Sequence, residues 1–197
     1  MGPKPENTRS ALSPMSPPDA YQPPGSDNIA FADLHPFLQE FAAEHEAVKA
    51  QLLKFEETIM GLKEKGVTVQ INRSLKEFFR FFNDEFIPHI KKEEKTIFPA
   101  LNKKLIEKNK LNPSLLSITP VDMMEDDHLK AIQLTVVVFN FFGLASRLKD
   151  EASRDIVMDA ALEQAYQLIE LLRLHIFRED RIIFPLAHKV VQKRTVC

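Results

Sequence analysis

Cysteine, glycine and tryptophan are scarce in this sequence, and neither sign of charge is in surplus. The single cysteine, Cys197, stands at the last position, so an internal disulfide and a thiolate zinc site are both excluded. Lys and Arg number 26 against 28 Asp and Glu, a formal net charge of −2. That offers none of the basic excess that phosphate backbones demand, and no nucleic-acid partner is expected. The longest uncharged apolar run, Leu134 to Leu144, contains Asn140 and falls short of the ~20 residues that cross a bilayer. No membrane span is expected. The opening MGPKPENTRSALSP has no apolar stretch for a secretory signal, and Pro3 and Glu6 break the myristoylation pattern after Gly2. The reading is a soluble, cytoplasmic chain. Its 197 residues, 44% of them hydrophobic, fit one domain, or one domain plus a tail. What the sequence does have is fifteen Phe, thirteen Pro and six His.

Seven of the thirteen prolines precede residue 29, set among Ser, Asp and Asn without a periodic apolar pattern. Such a composition buries too little surface to offset its ordering entropy. Residues 1–28 are therefore expected to form a mobile Pro-rich tail, either a passive extension or an arm that docks a protein partner. Residues 29–192 are expected to fold, and 193–197 to form a short C-terminal tail. From Asp33 onward apolar residues recur near a period of 3.6. The stripe Leu34, Leu38, Phe41, Val48, Leu52 predicts a helix from Pro36 to Lys65, with Gly66 as its stop. Ser74 to Glu77 reads as a capping box opening a second helix through Leu75, Phe78, Phe82, Phe86 and Ile97. Val67–Ile71 alternates like a strand but has nothing to pair with, and reads as a loop. Thr119, Pro120 and Asp122 open a third helix running to about Leu148. A fourth begins near Ser153 and carries Ala161, Ala165, Leu168, Leu172, Ile182 and Leu186. The expected fold is all-α, an up-down-up-down antiparallel four-helix bundle.

His89–Leu101 (HIKKEEKTIFPAL) laid over His175–Ala187 (HIFREDRIIFPLA) repeats His, Ile, Glu, Ile, Phe and Pro at an offset of 86 residues. This is a duplicated helix pair. Ahead of each copy stands a histidine on an apolar stripe, His45 and His128, at the similar offset of 83, although little else matches there. Residues i and i+4 share a helix face about 6 Å apart along the axis. His89 with Glu93, and His175 with Glu179, can each grip one ion with an imidazole and a carboxylate. Glutamates facing a core are costly unless something neutralises them. Counting rise along the helices puts all six residues at one level, ~26 to 30 Å from the shared turn where His45, His89 and Glu93 are concerned. One histidine on an apolar face is ordinarily a hydrogen-bonded core residue. Four of them converging with a duplicated His-x-x-x-Glu point instead to a pair of divalent metals. Mixed nitrogen and oxygen donors with open positions favour two iron ions; manganese and zinc also suit the set.

These segments resemble the hemerythrin-like family, the HHE cation-binding domain, over roughly residues 30–190. The resemblance implies a four-helix bundle around a non-heme, oxo- or hydroxo-bridged di-iron centre. Glu93 and Glu179 would be its bridges, and His45, His89, His128 and His175 its terminal ligands. Two positions depart from the oxygen-carrying members. Those have a second histidine one turn from the one on the third helix, whereas Met124 and Ile132 flank His128 here. The site is thus one histidine short, a place for Glu125 or Glu85 to fill. The carriers' last carboxylate is an aspartate five residues after its histidine, an offset held by Asp180, while the repeat and the helical spacing favour Glu179. Both departures argue against a reversible oxygen carrier. The function implied is a metal-binding protein that binds or senses a small ligand, O2 or NO, or holds iron. The alternative is a di-iron oxidoreductase acting on peroxide, O2 or NO, or a stress protein of the iron-sulfur-repair type, so turnover stays open.

Among the remaining features, Pro88 precedes His89 and is expected to bend the second helix by freeing the carbonyl of Asp84. Phe78, Phe79, Phe81, Phe82 and Phe86 read as core that also keeps the site dry. His35 and His188 read as surface histidines. Lys91, Lys92, Lys95, Lys103 and Lys104 read as a solvated face.

Overall fold

The computed structural model describes residues 29–109 and 119–192. The tails expected at 1–28 and 193–197, and the loop expected to follow Asn109, lie outside the described residues. A short turn of 3-10 helix, Phe31–Asp33, leads into α1 (Pro36–Lys65). Proline at the first helical position needs no N–H partner, and Gly66 closes the helix at φ 69°, its N–H bonded to the Leu62 carbonyl.

The next helix begins earlier than the Ser74 box suggests. Thr68 caps α2 (Val69–Phe81), its hydroxyl accepting from the Ile71 N–H at 3.2 Å. Ile71, Leu75 and Phe78 are all buried at helical spacing, so most of the expected loop is the first helical turn. A π-helical turn, Phe82–Phe86, carries α2 into α3 (Ile87–Asn109), with the Ile87 N–H reaching back five residues to the Phe82 carbonyl. Pro88 is thus met by a widened turn, one residue longer than an α-turn.

Thr119 caps α4 (Pro120–Ala145) in a full capping box with Asp122. The helix ends three residues before the expected Leu148. Asp150, rather than Ser153, caps α5 (Glu151–Arg178), accepting from the Ser153 N–H at 2.8 Å. A second π-helical turn, Glu179–Ile183, precedes α6 (Phe184–Gln192), in which Pro185 is the second residue. Among the described residues no strand occurs.

The helices pack as a bundle: α1 against α2 and α5, α4 against α5, and α3 against α4 and α6. Across α1 and α5, Glu56 takes both guanidinium nitrogens of Arg173, at 3.1 and 2.7 Å. Phe55 stacks on Phe78 across α1 and α2 at 3.7 Å between centroids. The apolar interior is in two bodies. The larger gathers Val48, Leu52, Phe55, Phe78, Phe86, Ala131 and Leu172, and the smaller gathers Leu38, Phe41, Phe98, Met124, Ile183 and Phe184.

His188 is not a surface residue. It is buried, and its Nδ1 accepts the His35 backbone N–H at 3.0 Å, pinning α6 to the entry of α1. His35 itself caps α1, its Nδ1 accepting from the Phe37 N–H. By length and composition α4 is apolar enough to cross a membrane, because its exposed side carries Leu129, Val136 and Phe139. Its other side delivers Asp127 and His128 into the bundle.

Candidate metal centre

The gap between the two apolar bodies is filled by polar side chains. His45 lies on α1 between Phe41 and Val48, Glu93 on α3 between Ile90 and Ile97, and His128 on α4 between Met124 and Ala131. His89 on α3, His175 on α5 and Glu179 in the second π-helical turn complete the layer. None of the six is more than 3% exposed. They form two groups that share both glutamates: His45, His89, Glu93, Glu179 and Glu93, His128, His175, Glu179. Within each group one donor atom per residue lies within 4.8 Å of the others. The imidazoles meet in pairs, Nε2 to Nε2, at 3.2 Å for His45 and His89 and 3.1 Å for His128 and His175. Glu179 Oε2 lies 3.1 Å from His45 Nε2 and 3.3 Å from His175 Nε2. Glu93 stands 3.5 Å from His89 and 3.4 Å from His128.

The outward nitrogens explain how the rings are aimed. His45 Nδ1–H donates to Asp180 Oδ1 at 2.7 Å, His89 Nδ1–H to Glu44 Oε2 at 2.6 Å, and His128 Nδ1–H to Glu94 Oε1 at 3.0 Å. A carboxylate can only accept, so each of these bonds places a proton on Nδ1 and turns Nε2 to the centre. His175 Nδ1 faces Asp127 Oδ2 at 3.8 Å. Cations stand behind the acids: Lys92 on Glu44, Lys49 on Asp180 at 2.8 Å, and Arg178 on Asp127 at 2.7 Å. Lys92 therefore belongs to the centre's surroundings as well as to the solvated face.

The duplication reaches these outer residues. Glu44 and Asp127 are related by 83 residues; Glu94 and Asp180, and Lys92 and Arg178, by 86. So are Phe98 and Phe184 of the two Ile-Phe-Pro segments, which stack on His128 and His45 at 5.5 and 5.1 Å between centroids.

Without a cation this layer is under electrostatic tension. Burial, and then the neighbouring Glu179 charge, push the Glu93 carboxyl well above its ordinary range. Burial also opposes ionisation of Glu179, but the charges of His175 and His45 hold it low. For His45, burial disfavours the proton, yet its bond to Asp180 and the Glu179 carboxylate beside it raise its pKa to about 9. Burial, and then the charge on His45, lower His89 to about 4.

Both oxygens of Glu93 and both of Glu179 are buried without a hydrogen-bond partner. Four such oxygens facing four imidazole nitrogens are a donor set that fits a cation. The family model of the hemerythrin HHE cation-binding domain matches residues 37–187. The chain belongs to the hemerythrin HHE family. The comparisons with curated proteins and with solved structures gave no match.

In this hemerythrin HHE domain, metal binding rests on that membership together with the buried His and Glu groups. Glu85 and Glu125 are exposed and join neither group. Asp180 also stands outside, engaged with the far side of His45. Glu44, Glu94 and Asp127 escape the sequence reading because an acid on a helix resembles any solvated charge. Their signal is the pair of doublets Glu44-His45 and Asp127-His128 at the 83-residue offset, and Glu93-Glu94 with Glu179-Asp180 at 86.

Proposed function

We propose that this domain holds two iron ions and uses them to bind or sense a small ligand such as O2 or NO. The observation that carries the reading is the set of four partnerless carboxylate oxygens enclosed by four Nε2 atoms. An isolated buried carboxylate is costly and a pair is more so. A cation shared between them removes the penalty. His45 and His89 would hold one ion, His128 and His175 the other, and Glu93 and Glu179 would touch both. When bound, iron supplies coordination positions that the protein leaves open to a small ligand. The chain supplies the rest. Asp180, Glu44 and Glu94 hold three imidazoles in the required tautomer, while Phe41, Phe86, Phe98 and Phe184, all buried, keep bulk water from the layer. An up-down-up-down course is supported by contacts that run in opposite register: Phe41 and Phe55 of α1 meet His89 and Phe78, and His45 and Glu56 meet Asp180 and Arg173.

The test is metal analysis of purified protein, with reconstitution by Fe(II) and absorption spectra with and without O2 and azide. Two ions per chain and a spectrum that responds to either ligand are expected. Protein that binds no metal under aerobic or anaerobic reconstitution sinks the proposal, and two manganese or zinc ions would replace iron in it. Glu93→Ala and Glu179→Ala should each lower the stoichiometry towards one or zero. Two ions retained with unchanged spectra in both variants would refute the shared-carboxylate role.

A further inference from the structure

The two halves of the centre are duplicates in sequence but differ in how their histidines are held. In the first half both imidazoles are anchored, His45 by Asp180 at 2.7 Å and His89 by Glu44 at 2.6 Å. In the second, His128 is anchored by Glu94 at 3.0 Å, but His175 Nδ1 has no hydrogen-bond partner. Its repeat-equivalent acid, Asp127, stops at 3.8 Å. That is beyond a hydrogen bond. The cause is legible. Position 44 is Glu and position 127 is Asp, one methylene shorter, and the Oδ2 that faces His175 is taken by Arg178 at 2.7 Å.

A carboxylate on the far nitrogen of a ligating histidine fixes the ring and raises its basicity, and losing one costs about 10- to 100-fold in metal affinity. We infer that the two metal positions are unequal, that the His45/His89 position fills first, and that Glu44 is the residue that sets it apart from the His128/His175 position. Glu44 acts as a positioning residue, through His89. This inference rests on the metal-binding reading above and adds an order of loading to it.

The experiment titrates the full-length metal-free protein with Co(II), followed by calorimetry and by the visible bands of the bound ion. Wild type should show two steps separated by about 10- to 100-fold. Glu44→Ala should weaken the tighter step by that factor and bring the two together. Asp127→Ala should leave the tighter step in place. Asp127→Glu, which restores the missing methylene, should narrow the gap from the other side. Far-UV circular dichroism checks that each variant folds, and Glu44→Gln, which keeps an acceptor but not the charge, should give an intermediate shift. Two equal steps in wild type, or a tighter step that moves with Asp127→Ala and not with Glu44→Ala, would overturn the inference while leaving metal binding intact. Wild type that binds no Co(II) would overturn the metal reading itself.

Discussion

A neutral imidazole has one lone pair to give, and in His45, His89 and His128 an acid on another helix decides which nitrogen keeps the proton. Ligation is therefore also a proton reaction. His45, raised to about 9 in the metal-free protein, is charged at pH 7, and the ion must displace that proton, whereas His89, lowered to about 4, is already neutral. The sign follows directly. Below pH 9 metal affinity should fall as pH falls, and binding at pH 7 should release at least about one proton per chain. Calorimetry in buffers of different ionisation heat measures that number, and an uptake heat independent of buffer would refute it. The six central residues could be read from the sequence because charge on an apolar stripe conflicts with its surroundings. The acids behind them carry no such conflict, since each lies on a face where charge is ordinary.

At the level of the helices, termini were legible where the signal is stereochemical. Pro36 and Gly66 delimit α1 as expected, because a missing N–H and a positive φ have few other uses. Hydroxyl and carboxylate caps are more ambiguous. Ser74 matches a capping box in sequence, yet Thr68 is the residue placed one turn ahead of the first buried side chain, Ile71. Asp150 displaces Ser153 for the same reason of position. The π-helical turns were not legible at all. Pro88 and Pro185 each follow one by two residues, and nothing in composition distinguishes a widened turn from a kink. The cap of α4 gives a direct test. Thr119→Ala removes the acceptor for the Asp122 N–H and should cost about 1 kcal/mol. For a chain of this size that lowers Tm by about 2–4 °C, with metal stoichiometry unchanged. A larger loss of metal than of stability would show that the cap helps to hold the site.

On the scale of the whole molecule, a polar layer separates two apolar bodies, and the family match over residues 37–187 spans both. Burying charge there opposes folding of the metal-free chain, so the ion should act as a structural ligand as well. At a free concentration 100 times its Kd, each ion bound should stabilise the fold by about 2.7 kcal/mol, which raises Tm by roughly 5–11 °C per ion. Thermal melts with and without a chelator measure this, and identical melts would refute it. The bundle itself was legible because four apolar stripes of period 3.6 have few ways to be buried together. The crossed partnerships carry a further meaning. Asp180 and Phe184, from the second helix pair, support His45 in the first, and Glu94 and Phe98, from the first, support His128 in the second. A single pair would leave one imidazole without either acceptor or stacking ring. It would find both in an identical pair turned by half a revolution. The chain thus has the form of a symmetric homodimer whose two subunits have been fused, and the centre sits where the subunit boundary would run. Either helix pair prepared separately should bind metal as a dimer and not as a monomer, and a monomeric half that loads two ions would show that the boundary lies elsewhere.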